Sequence, residues 1–149
     1  MGWEWLSRCA AKVGSATPEG GDMALIEDLL ERRAAGQADF TNAFRALAGE
    51  NARDQFLDPA AFDSWAMGWR QRLETEENPE ALMRQVNPAF IPRNHRIEER
   101  MAAAGEGEMA PFERLNLVLA RPFEDQPEHA ELQNPPRPEE VVAATFCGT

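Results

Sequence analysis

The sequence is poor in lysine, cysteine and histidine, with one, two and two of each, and no apolar run approaches the roughly 20 residues needed to span a bilayer. Lys12 is the only lysine beside 14 arginines. That excludes a polylysine tail and leaves bidentate arginine pairing as the main cationic chemistry. Cys9 and Cys147 lie at opposite ends, too few and too distant in sequence for a disulfide framework or a zinc site. The opening "MGWEWLSRCAAKV" carries Glu4 where a secretory signal would want positive charge, so the chain reads as soluble and cytoplasmic, without a membrane segment. Positive charge is short overall: 26 acidic against 15 basic residues give a net charge of −11, a field that repels nucleic acid and anionic lipid.

What is present is one helix signal after another. In "GDMALIEDLLERRAAG", Asp22 is placed to cap the start, Ile26, Leu29 and Leu30 share a face, and Gly36 supplies the stop. "ADFTNAFRALAG" spaces Phe40, Phe44 and Leu47 by four and three and closes at Gly49. The strongest element is "DPAAFDSWAMGWRQRLETEEN", with Asp58 as cap, Pro59 at the first helical position, and Phe62, Trp65, Ala66, Trp69 and Leu73 as one stripe. Such a stripe organises a core more readily than it binds a ligand.

Asn78-Pro79 and Asn87-Pro88 repeat the cap-and-proline device, giving a short helix in "NPEALMRQV" and a turn in "NPAFIP" that Pro92 ends. Asn94 then caps "HRIEERMAAAG", whose inner face is Ile97 and Met101. Pro111, Phe112, Leu115, Val118 and Leu119 define a further helix ending near Arg121 and Pro122. Beyond it the proline-rich segment reads as an extended tail, and only "VVAATF" has strand character. With neither internal repeat nor strand-helix alternation, the expected class is all-α.

Candidate chemistry is thin. "GEGEMA", Gly105 to Ala110, fits the dinucleotide fingerprint in form, but it follows a helix, and Glu106 and Glu108 would meet the pyrophosphate. It reads as a helix connector. His95-Arg96 echoes a kinase catalytic loop, with Ile97 where the aspartate would have to stand. His95 with Glu98 or Glu99, one turn away, is the arrangement of a base and its orienting partner or of two metal ligands, yet there is no H-E-x-x-H and His129 lies in the tail. The plainer reading has Asn94 capping and Arg93 or Arg96 pairing with carboxylates. Acidic runs such as "ETEEN" and "RPEEVV" read as solvated faces. Neither a P-loop nor G-x-S-x-G is present. Cys147, two residues from the end in "TFCGT", is a thiol available for exchange or else a small buried residue. Cys9 reads as an inert helical residue.

Three stretches resemble the C-terminal part of one family: "ADFTNAFRAL", the run from "NPAFIPRNH" through "RPFEDQP" to "LQNPP", and the closing "FCGT". This is the SelO family, also called YdiU, of pseudokinase-fold protein adenylyltransferases. The resemblance covers about Asp22 to Thr149 and implies a parent that transfers AMP from ATP, with Mg or Mn, to hydroxyl side chains of proteins. It implies that the fold here is the helical C-terminal part of a kinase-like lobe, followed by the proline-rich tail. The nucleotide-binding, metal-binding and catalytic positions are then expected upstream of Met1, leaving the chain an inactive C-terminal fragment that binds no cofactor.

One position carries over. Cys147 is antepenultimate, where family members have selenocysteine or cysteine, and in bacterial relatives that thiol can pair with an upstream cysteine and regulate activity. The implied organisation is an N-terminal segment 1–21, a helical segment 22–121 and a tail 122–149. Partners would be the upstream kinase-like region and, through the parent, protein substrates, while the isolated fragment would self-associate through uncovered apolar surface. The alternative is a stand-alone helical interaction module whose Phe62, Trp65, Trp69 stripe and tail grip a partner helix or a second copy.

Overall fold

The computed structural model describes residues 2–143. Among them the architecture is all-helical, without strands: α1 (Gly2–Lys12), α2 (Asp22–Ala35), α3 (Phe40–Ala46), α4 (Pro59–Leu73), α5 (Pro79–Val86), α6 (Asn94–Gly105) and α7 (Ala110–Leu119), with 3-10 turns at Ala52–Gln55, Pro127–Gln133 and Pro138–Glu140. The chain folds as two units, Met1–Pro88 and Ala89–Thr149.

In the first unit, local signals start the helices as the sequence implies. Asp58 accepts a hydrogen bond from the Ala60 N–H at 3.0 Å ahead of Pro59, and Asn78 accepts one from Ala81 at 3.3 Å ahead of Pro79. These caps satisfy N–H groups that the first turn leaves orphaned. Asp39 does the same for α3 through the Asn42 N–H. The stripe of α4 is buried against Ile26, Leu29, Phe44, Leu47, Phe56 and Met83. Its rings form a row, with centroids 5.0 Å apart from Phe56 to Phe62, 5.6 Å from Phe62 to Trp65, and 5.2 Å between the stacked Trp65 and Trp69. Both indoles are satisfied as they are buried: Trp65 donates to the Leu25 carbonyl at 2.9 Å and Trp69 to Val13 at 2.7 Å. The stripe therefore serves this chain's own core, which removes the version of the interaction-module reading that turned it outward.

Two cap expectations fail in this unit, and a helix stop is reached by an unexpected geometry. Asp22 does not cap α2; it is the first helical residue, behind Gly21, and its carboxylate is used elsewhere. Gly36 is where α2 stops, as expected, but it is the C-cap with φ of −82° rather than the left-handed residue. The Ala38 N–H bonds the Arg33 carbonyl and the Gln37 N–H bonds Ala34, so the reversal falls on Gln37, with φ of 50°. A Cβ on Gly36 would stand 3.0 Å from the Arg32 carbonyl and 3.2 Å from the Phe56 ring, and close approach is what glycine supplies there. Asn87 caps no new helix. It is buried at the end of α5, donating to the Lys12 carbonyl at 2.8 Å and to Phe44 at 3.3 Å, while Lys12 reaches back to the Val86 carbonyl and to Asn87 Oδ1. Seam formation outweighs a local cap because two carbonyls would otherwise be buried unpaired.

The second unit has a smaller core, Ala89, Phe90, Leu115, Val118 and Leu132, flanked by Ile97 and Leu119. The α6–α7 connector is the "GEGEMA" run. Gly107 at φ of +94° lets the Glu108 N–H bond the Ala103 carbonyl, which closes α6 rather than cradling a phosphate. Asn94 is not the cap of α6; Arg93 holds that position and Asn94 is already helical, without a side-chain cap bond. The inner face of α6 is also rotated from expectation, because Met101 is 58% exposed while His95 and Arg100 are buried beside the half-buried Ile97.

After Pro122 the chain is tighter than an extended path. The Pro122 carbonyl accepts from the Ala89 and Phe90 N–H groups, Gln126 donates to the Val118 and Arg121 carbonyls at the end of α7, and Leu132 enters the core from the 127–133 turn. The strand character read in "VVAATF" falls half on residues outside the described ones; Val141 and Val142 take no strand conformation.

Candidate functional site

The segment from Arg93 to Arg100 gathers more ionisable side chains than any expected catalytic pair requires. Glu99 lies between two guanidiniums, 3.0 Å from Arg96 and 2.6 Å from Arg100. Burial pushes its carboxyl up, but the hydrogen bonds from Arg96 and Arg100 outweigh it and hold the group below the ordinary glutamate value. Arg96 also donates to the Glu131 carbonyl at 3.0 Å, tying α6 to the 127–133 turn. Glu99 is therefore committed to arginine, and His95 makes no hydrogen bond to it or to Glu98 among the described residues. The plainer reading of "PRNHR", arginines paired with a carboxylate and a carbonyl, describes Arg96.

His95 is 7% exposed, and its Nε2 has no hydrogen-bond partner among the described residues. Burial, reinforced by Arg96 and Arg93, lowers its proton affinity against the smaller opposing pull of Glu140 and Glu99. The ring lines a cavity of about 320 Å³, with Ile91 and Pro92 on its own side and Pro136, Glu140 and Val141 opposite. Glu140 itself is held by Arg137, whose backbone N–H and guanidinium each donate at 2.9 Å, which brings its carboxyl down to about 2.

The two histidines do not come together in one site. His129 accepts from Arg114 at 3.0 Å, and Arg114 also pairs with Glu131. Among the described residues no three His, Cys, Asp or Glu side chains converge as a metal site. Cys9 lies half-buried against the first unit's core as a free thiol in α1. Cys147, the redox position implied by the resemblance, lies outside the described residues.

The first unit holds a cluster that sequence reasoning missed. Arg72 donates to Asp22 at 2.8 Å, to Ser15 at 2.6 Å, to the Thr17 carbonyl at 2.9 Å and to Glu76 at 3.1 Å. Asp22, 1% exposed, also accepts from Ser15 Oγ and the Glu19 N–H, each at 2.9 Å. Burial raises its carboxyl, but Arg72, the Glu19 N–H and Ser15 together outweigh burial and lower it. Every oxygen and guanidinium edge has a structural partner, so the cluster fastens the 13–21 loop to α4 and leaves no open coordination for a substrate. Its members are up to 61 residues apart in sequence, and no spacing rule reveals them.

No family model matches the chain. It is 61% identical over 145 residues to the protein nucleotidyltransferase YdiU of Ruegeria pomeroyi, a match covering 97% of this chain and 31% of that protein. The chain matches the C-terminal region of SelO (YdiU) family proteins. The YdiU proteins of Bradyrhizobium diazoefficiens and Syntrophotalea carbinolica are 50% and 49% identical, each match covering 93% of this chain and 30% of the relative. The chain thus spans about a third of the length of the curated relatives it matches, their C-terminal third. With 97% of this chain matched, the likeness to YdiU reaches into the first 21 residues, where the resemblance read from the sequence had stopped. No helix among the described residues is long and apolar enough to cross a membrane.

Proposed function

We propose that this chain is the helical C-terminal part of a protein adenylyltransferase and acts as its scaffold and regulatory tail. In the whole protein, a Ser, Thr or Tyr hydroxyl of a protein substrate attacks the α-phosphorus of ATP, an O–P bond forms, and pyrophosphate leaves, with Mg or Mn balancing its charge. The nucleotide and metal are held by the upstream kinase-like region, and this chain binds neither. The setting is the cytoplasm, where ATP is available.

The observation that carries this reading is the identity of 61%, over nearly the whole chain, to a protein named for nucleotidyl transfer. Supporting it is the use made of the chain's charged residues: Arg72 pairs with Asp22, Glu99 with Arg96 and Arg100, and Arg114 with Glu131. Such groups hold a fold rather than receive a triphosphate. Cys147 is the regulatory thiol. It and an upstream cysteine join as a disulfide when an oxidant such as hydrogen peroxide takes two electrons and two protons from the pair. On its own the chain exposes Trp3, Trp5 and Met67 and self-associates.

The test uses labelled ATP, Mg or Mn and protein substrates, with the chain alone and with the chain joined to the upstream region of its relatives. Label transfer is expected from the joined protein only, falling on peroxide treatment and insensitive to peroxide in Cys147→Ser. AMP transfer by the chain alone would overturn the scaffold reading, and an unchanged peroxide response in Cys147→Ser would remove the thiol's role.

A further inference from the structure

The second unit contains a histidine whose surroundings suit one protonation state. We propose that His95 is an acid-sensitive latch: as the neutral ring it lies beneath the 136–142 segment, and as the imidazolium it forces that segment away to regain water. The latch stands whether or not the transferase reading holds.

The geometry is a ring 7% exposed, an Nε2 sealed from solvent without a hydrogen-bond partner, and a cavity shared with Pro136, Glu140 and Val141 of the covering segment. A neutral imidazole tolerates an unpaired acceptor nitrogen at modest cost; a charged one buried without a bonded counter-ion does not. The charged groups around it are accounted for. Arg96 on α6 and Arg93 just before it oppose protonation, while Glu99 on α6 and Glu140 from the cover favour it. Both carboxylates are already engaged, Glu99 by Arg96 and Arg100 and Glu140 by Arg137. In the closed arrangement neither is hydrogen-bonded to Nε2.

Which side yields follows from how each is anchored. His95 is part of a twelve-residue helix whose Ile97 packs on the core and whose first turn bonds the Arg93 carbonyl. The cover is a single 3-10 turn, Pro138–Glu140, contributes no buried apolar residue, and leaves Val141 62% exposed. Opening the cover breaks fewer contacts than unwinding the helix. Because burial lowers the folded-state value below the ordinary 6.5, closure is fully stable above about pH 6.5 and weakens as pH falls through the window beneath it.

The test is an NMR titration of the full chain from pH 8 to pH 5, following the His95 ring together with the methyls of Val141 and Val142. The expected result is one shared midpoint below the value of free histidine, and exchange of the Glu140 amide, corrected for its intrinsic pH dependence, roughly tenfold faster at the acid end. His95→Gln should abolish the methyl transition. Should that variant fail to fold, Glu140→Gln keeps the question answerable, since removing the carboxylate that favours protonation should move the midpoint lower still. Methyl signals that ignore His95 titration, a transition surviving in His95→Gln, or a midpoint unmoved in Glu140→Gln would each overturn the latch.

Discussion

The first unit is held by a row of packed aromatic rings with one ionic cluster at its edge; the second has five buried apolar residues among the described ones and is closed largely by side chains that reach backbone carbonyls. The contrast shows two ways of spending a limited apolar content. Where large rings are available in one helix, burial supplies the stability and polar groups need only be satisfied. Where they are not, Gln126, Gln133 and Arg96 stitch the irregular 122–133 stretch to its neighbours, and cohesion comes from hydrogen bonds that are individually small.

The comparison breaks most visibly at Trp69. Trp69→Ala removes a ring stacked on Trp65 and leaves the Val13 carbonyl without its donor, so urea unfolding should show a loss of about 4 kcal/mol confined to the first unit. A loss under about 1 kcal/mol would mean that the aromatic row is not the principal support. Next is Asp22→Asn, which takes the buried carboxylate from Arg72, leaves it Glu76 as its nearest charge partner and should cost about 2 kcal/mol. The same pair sets an acid limit. The Asp22 carboxyl is lowered in the folded state, so its contribution is complete above the ordinary value of 3.8 and disappears as pH falls below it. Thermal unfolding from pH 7 to pH 2 should therefore lose an acid-dependent component in Asp22→Asn. The smallest effect belongs to the second unit: Gln126→Ala deletes two bonds to the end of α7 and should cost about 1 kcal/mol by chemical denaturation. A loss as large as that of Trp69→Ala would erase the distinction between the units.

Legibility in the sequence follows the range over which each signal acts. Asp58, Asn78 and the prolines after them mark real helix starts because a cap needs only its own next turn. The stripe of α4 is legible because bulky rings at helical spacing leave one rotational phase open. Asp22, Asn87 and Asn94 carry the same residue types and mislead, since partners tens of residues away claim the first two and Arg93 already occupies the cap position before the third. The phase of α6 is hidden in the sequence for a related reason. Its second half is "MAAAG", where alanines mark no face, so the burial of His95 and Arg100 over Met101 is decided by Glu99, Arg96 and the 127–133 turn. The candidate site was legible only as a cluster of residue types; the sealed ring nitrogen and its covering segment are products of folding.

The seam where Lys12 meets Val86 and Asn87 offers an experimental handle. Since no other side chain in the sequence ends in a primary amine, side-chain acylation, acetylation and amine-directed cross-linking within these residues fall on this one ε-nitrogen, which peptide mapping separates from any α-amino product. Its labelling rate becomes a single-site gauge of how firmly the first helix is seated, readable by mass spectrometry without introducing any probe.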